Sequence, residues 1–188
     1  MKITIGISAR HMHLTKEDYD LLFDEPINKI KDLNQPGEFA SDKTVSIKNN
    51  DNIIENVRIV GPFRKYTQVE LSQSDAYKLK LELPIRQSGD IKDAAKITIF
   101  TPKGEIERKA AIITTRHIHI TKEEREKYNL TQDNYAVKVK GEKGGILSNV
   151  TITEREKSYF EMHIDIDDAN AFNLKNNDEV EIVKIMEK

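Results

Sequence analysis

The chain has five histidines, His11, His13, His117, His119 and His163, and four of them form two His-x-His pairs. On a β-strand, residues i and i+2 face the same side, so each pair can offer two imidazoles to one cation. A single such pair is more readily a surface or core pair satisfied by backbone carbonyls. Two pairs in matching surroundings favour coordination. The 188 residues include no cysteine, which excludes disulfides, thiolate metal sites and a cysteine nucleophile. A metal must therefore be held through nitrogen and oxygen.

The surroundings match because the chain repeats itself. Arg10-His11-Met12-His13-Leu14-Thr15-Lys16-Glu17 returns as Arg116-His117-Ile118-His119-Ile120-Thr121-Lys122-Glu123, 106 residues on. A fainter match follows in each half, Asn56-Val57 with Asn149-Val150 and Asp75-Ala76 with Asp168-Ala169, at an offset of 93. The first half thus carries 13 more residues between its two blocks, around Pro26 to Glu38, which reads as a loop insertion. The ungapped register of the second block sets Glu70 against His163 and Arg64 against Lys157.

Two ligands make a weak site, and the register nominates the third. It gives one triad of His11, His13 and Glu70 and another of His117, His119 and His163. Three protein ligands with an open position is the pattern of catalytic zinc, since water or substrate must reach the ion. This donor set also suits cobalt, manganese, nickel or ferrous iron.

Arginines near the triads could bind an anion. Gly61-Pro62-Phe63-Arg64 breaks a strand and delivers Arg64 six residues before Glu70, which suits a clamp for an oxyanion such as phosphate. Arg10 and Arg116 each precede a histidine pair and would face away from it on a strand. An ion pair and an anion-binding role are both open for them. Gln35-Pro36-Gly37-Glu38 and Pro84-Ile85-Arg86-Gln87-Ser88-Gly89-Asp90 carry turn chemistry and, taken alone, are linkers. No phosphate-binding loop, dinucleotide fingerprint or nucleophile elbow is present, so the field narrows to metal-centred chemistry on an anionic substrate.

The elements that must position these residues are mostly strands. Alternation predicts strands at 2–7, 44–47, 56–60, 67–71, 96–100, 136–139, 149–153, 160–164 and 179–185. Thr15 and Thr121, each followed by acidic residues, predict helix starts, and short helices are expected after Ser74-Asp75 and Asp167-Asp168. The expected fold is mostly β: two similar small β-barrels with short capping helices, related by a pseudo-twofold internal repeat. The expected boundary lies near Gly104 to Arg108, giving a first half 1–104 and a second half 105–188, each with its own triad.

With 30 Lys and Arg against 32 Asp and Glu, the chain has no global attraction for nucleic acid or an anionic membrane. No apolar run approaches the ~20 residues of a membrane span, and Met1 to Ser8 alternates like a strand rather than a signal peptide. The expected compartment is the cytoplasm.

The chain resembles the PduL-type phosphate propanoyltransferases, or phosphotransacylases, over nearly its whole length. The resemblance rests on Ser8-Ala9-Arg10-His11-Met12-His13-Leu14, Gln35-Pro36-Gly37-Glu38-Phe39-Ala40, Val60-Gly61-Pro62-Phe63-Arg64 and Thr67-Gln68-Val69-Glu70. Pro84 to Asp90, Arg116-His117-Ile118-His119 and Met162-His163-Ile164-Asp165 complete it. It implies two β-barrels, two zinc ions held between them, and the reaction acyl-CoA + phosphate ⇌ acyl phosphate + CoA. It places the metal ligands on the same six residues, the phosphate-binding catalytic arginine on Arg64, and coenzyme A contacts on Ser8, Arg58 and Asn170. The expected mechanism is metal-assisted direct acyl transfer, with no acylated side chain.

Members destined for bacterial microcompartments, as in propanediol degradation, usually carry an N-terminal extension, which sets the microcompartment lumen beside the cytoplasm as a destination. A homodimer is compatible with the size of the chain. Acetyl and propanoyl donors differ by one methylene, worth only about 1–3 kcal/mol in a pocket. Two rival readings are a metal-dependent hydrolase of a CoA thioester or acyl phosphate, and a non-catalytic module in which metals only staple the barrels.

Overall fold

A computed structural model describes residues 1–183 of the protein. In chain order its elements are β1 (Lys2–Ser8), β2 (His11–His13), α1 (Lys16–Leu22), β3 (Lys29–Asp32), β4 (Phe39–Asn49), β5 (Asn52–Gly61) and β6 (Gln68–Leu71). They continue with α2 (Gln73–Leu79), β7 (Ile85–Arg86), β8 (Ala95–Phe100), β9 (Glu105–Thr114), β10 (His117–Ile120) and α3 (Lys122–Lys127). The last are β11 (Asn134–Val139), β12 (Gly145–Glu154), β13 (Glu161–Asp165), α4 (Ile166–Phe172) and β14 (Glu179–Val183). The fold is mostly β, as the alternation predicts. Residues 184–185 of the last predicted strand lie outside the described residues.

The chain forms two compact units, one of Ala9–Thr114 and one of Met1–Ser8 with everything from Thr115 onward. In the Ala9–Thr114 unit, β4, β5, β2, β6, β9 and β8 pair in that order, and β8 closes the ring on β4. In the other, β1, β13, β10, β12, β11 and β14 form a closed barrel. Closure leaves neither ring with an edge.

This division corrects the expected boundary. The strand before each His-x-His pair belongs to the barrel of the other pair. β9 runs parallel to β6 and antiparallel to β8, while β1 runs parallel to β13 and antiparallel to β14. A split at residue 104 would open the first ring by removing β9, leaving the N–H and C=O groups of β6 and β8 unpaired on that side. The crossings therefore fall after Ser8 and after Thr114. The insertion is likewise more than a loop, because β3 lies within it and pairs with β4.

Each barrel is filled by alternating aliphatic side chains. Val45 and Ile47 on β4, Val57 and Ile59 on β5, and Ile97 and Ile99 on β8 are buried in one; Ile3, Ile5, Ile118, Ile120, Val137 and Val150 fill the other. Truncating one of these, for example Ile99→Ala, should cost about 2–5 kcal/mol.

Local chemistry explains why the second sequence block repeats. Asn56 and Asn149 both adopt left-handed backbone, at φ 60° and 56°, within β5 and β12, a conformation asparagine tolerates better than most residues. Thr15 and Thr121 cap α1 and α3, as the sequence predicts. The helices expected after residues 75 and 168 begin slightly earlier, because Ser72 and Asp165 are their N-caps and accept from the backbone N–H of Asp75 and Asp168. No helix among the described residues is long and apolar enough to cross a membrane.

Candidate functional site

Both histidine pairs lie on short strands flanked by the strand that carries the third residue. β2 runs antiparallel to β6 with His11 opposite Glu70, and β10 runs antiparallel to β13 with His117 opposite His163. The equal register follows from the sequence repeat. In each triad the candidate ligand atoms lie within 4.8 Å of one another.

Three of the imidazoles are oriented by backbone carbonyls. His11 Nδ1 lies 2.9 Å from the oxygen of Ala9, His13 Nδ1 3.0 Å from that of Val60, and His117 Nδ1 2.8 Å from that of Thr115. A proton donated from Nδ1 leaves Nε2 with its lone pair turned toward the centre of the site, the usual arrangement around a ligated cation. His117 Nε2 and His119 Nε2 stand 3.0 Å apart. Such convergence of imidazole nitrogens fits a divalent ion of intermediate softness such as zinc.

Glu70 is fixed at both oxygens. Its Oε1 accepts from Gln68 Nε2 at 2.6 Å and Ser88 Oγ at 2.8 Å, and its Oε2 accepts from Thr114 Oγ1 at 2.7 Å. His11 Nε2 lies 3.7 Å from Oε2. Burial alone would raise the Glu70 pKa, but His11, His13 and the Thr114 and Ser88 hydroxyls outweigh it and hold the carboxyl ionised, well below the usual range. His13 is pushed well below the ordinary imidazole value, first by burial and then by His11 and Arg64. Both shifts keep donor atoms deprotonated, as a cation requires.

In the second triad the residue two before His163, on the same strand face, is acidic. Glu161 Oε2 lies 2.8 Å from His163 Nε2 and is buried. Gly6 on β1, opposite His163, makes room for both: a Cβ there would lie 2.7 Å from Glu161 Oε2 and 2.7 Å from His163 Cδ2.

Arg64 sits beside the first triad. Its Nη1 donates to Ser88 Oγ at 3.3 Å and its Nη2 to Glu38 Oε1 at 3.1 Å. Because Ser88 also donates to Glu70, the guanidinium and the carboxylate are bridged by one hydroxyl. The two stretches that alone read as linkers therefore deliver Glu38 and Ser88 to the site. Composition gave no sign of this, whereas Gln68 and Glu161 could have been found as the i−2 neighbours of the register-matched third residues.

Arg10 and Arg116 are ion-pair residues. Arg10 Nη2 lies 2.7 Å from Asp75, and Arg116 holds Asp168 through Nε at 2.6 Å and Nη2 at 2.7 Å. Arg58 stands opposite His11 on β5 and donates to the carbonyl of Ser41 at 2.9 Å. Ser8 ends β1 and Asn170 is exposed on α4, both in the unit that holds the three-histidine group.

The pattern of the phosphate propanoyltransferase family matches residues 4–175. The chain belongs to this family. It is 42% identical over 188 residues to a phosphate propanoyltransferase of Thermotoga maritima, spanning 97% of this chain and 89% of that one. Relatives of the same name in Rhodobacter capsulatus and Priestia megaterium are 38% and 41% identical, covering 97% and 90% of this chain and 87% and 80% of theirs. Membership makes the chain an enzyme, a transferase. The landmarks that carried the resemblance lie within or beside the two triads and the Arg64 cluster.

Proposed function

We propose that the chain transfers an acyl group between coenzyme A and inorganic phosphate, acyl-CoA + phosphate ⇌ acyl phosphate + CoA, with propanoyl-CoA or acetyl-CoA as donor and a divalent ion, zinc, in each triad. The observation that carries this reading is the bridge Arg64–Ser88–Glu70. It sets an anion-binding guanidinium one hydroxyl away from a metal-ligand candidate.

His11, His13 and Glu70 would hold one ion and His117, His119 and His163 the other. Bound there, a divalent ion supplies Lewis-acid polarisation of a carbonyl or phosphoryl oxygen and stabilises developing negative charge. The chain does the rest. Arg64 binds the phosphate through charge-assisted hydrogen bonds and holds it for attack on the thioester carbonyl. Gln68, Ser88 and Thr114 keep Glu70 in one orientation, and the carbonyls of Ala9, Val60 and Thr115 keep Nε2 of three histidines unprotonated. No side chain needs to become acylated, in keeping with the absence of cysteine. Ser8, Arg58 and Asn170 are assigned to coenzyme A; Arg58 stands opposite His11 in the β2–β5 register.

The test is release of CoA thiol from propanoyl-CoA and acetyl-CoA, with and without phosphate, on protein of measured metal content. Release should require phosphate and about two metals per chain and should stop on chelation. Equal release without phosphate would make the enzyme a hydrolase and overturn the reading.

A further inference from the structure

We propose that Glu38 makes the anion site at Arg64 selective for a protonated oxyanion, hydrogen phosphate or hydrogen arsenate, over sulfate. The inference rests on the reading that Arg64 binds phosphate.

Glu38 closes the insertion that distinguishes the first half from the second. The second half has neither these residues nor an arginine in the matching place, where Lys157 stands. The insertion ends with the Glu38 carboxylate against Arg64. Its strand β3 pairs with β4, and the turn beyond is closed by Leu33 N–H to the carbonyl of Glu38 and Glu38 N–H to that of Gln35. Gly37 supplies the positive φ of 83° that the turn needs, and Gln35 is buried. Phe39 then registers opposite Gly61, where any Cβ would collide with the phenyl ring. Gly61 lies three residues before Arg64, so the close packing of Phe39 fixes Glu38 against the guanidinium.

The pair is largely shielded from water, with side-chain exposures of 16% for Arg64 and 20% for Glu38. A carboxylate in that position cancels much of the attraction a bare arginine would have for any anion. What it gives in return is discrimination. Inorganic phosphate near neutral pH keeps at least one P–OH, which can donate to the Glu38 carboxylate while Arg64 holds the other oxygens. Sulfate is fully ionised and has no proton to give, so its oxygens would face the carboxylate across an unfavourable like-charge contact. A site built to hydrogen-bond a substrate hydroxyl can reject an analogue lacking it by about 10⁴–10⁵-fold, and this partly exposed pair should reach about 10²-fold.

The experiment titrates inorganic phosphate, arsenate and sulfate into metal-loaded full chain and compares wild type, Glu38→Gln and Arg64→Ala by calorimetry. Folding is checked by circular dichroism. Wild type should bind phosphate and arsenate within about tenfold of each other and sulfate about 100-fold more weakly. Glu38→Gln, whose amide can donate to sulfate, should narrow the phosphate-to-sulfate ratio below about tenfold, mainly by tightening sulfate. If Glu38 only held the Arg64 side chain, its substitution would weaken both anions together and leave the ratio intact. That result, or wild-type protein that binds sulfate as well as phosphate, overturns the proposal. Arg64→Ala should lose phosphate binding; unchanged phosphate binding in that variant would instead remove the underlying assignment of Arg64, and the proposal with it.

Discussion

His117 Nε2 faces His119 Nε2 across 3.0 Å while His117 Nδ1 is engaged by the carbonyl of Thr115. Two ring nitrogens aimed at one another this closely need a cation or a proton to relieve lone-pair repulsion, and His163 stands opposite His117 on the adjoining strand. His119→Ala should therefore remove one of two metal equivalents per chain and leave the other on His11, His13 and Glu70. Elemental analysis of the purified variant decides this. Retention of both equivalents would show that the three histidines are not a ligand set.

A second expectation concerns Gly6. Its missing Cβ is what allows Glu161 and His163 to occupy the same side of β1 and β13. Gly6→Ala should destabilise the fold by about 1–3 kcal/mol through overpacking. It should also weaken the second metal by about 10–100-fold, since a displaced partner of a ligating histidine usually costs that much. Thermal melts and chelator competition measure the two effects separately. Wild-type metal affinity in a destabilised variant would assign Gly6 a packing role alone.

How far the site was legible follows from how each residue is encoded. The six ligand candidates could be read because histidine is scarce, a strand places i and i+2 together, and the repeat register names Glu70 and His163. Glu38 and Ser88 could not, since a turn sequence states that the chain bends but not where its side chains arrive. The barrels were legible from alternation, but the placement of β1 and β9 was not. Periodicity fixes which face of a strand is buried and leaves its pairing partner open, and here each of these strands pairs beyond the half in which it is written.

Thr114 ends β9 and donates to Glu70 Oε2 at 2.7 Å. Replacing it by valine keeps the shape and removes the hydroxyl. Zinc at the first triad should then bind about 10–100-fold more weakly while the second is unchanged, which chelator competition against wild type measures for each equivalent. A first-triad affinity equal to that of wild type would mean that Gln68 and Ser88 suffice to hold the carboxylate.

Removing the metals exposes a pH dependence whose sign is set by His13. This imidazole is 1% exposed, and burial first, then His11 and Arg64, place its pKa well below the ordinary value. Above about pH 6.5 it is neutral in both the folded and the unfolded chain, and its full contribution to stability is present. As the pH falls below that, the unfolded chain takes up a proton that folded His13 refuses, and stability is lost at up to about 1.4 kcal/mol per pH unit until the folded group titrates. Glu70, whose folded pKa is also depressed, acts with the same sign but only once the pH reaches the ordinary carboxylate range. Urea unfolding of chelator-treated protein at pH 7.5 and 5.5 should show the loss, and His13→Asn should show a shallower one. An equal slope in the two proteins would place the proton uptake on another group.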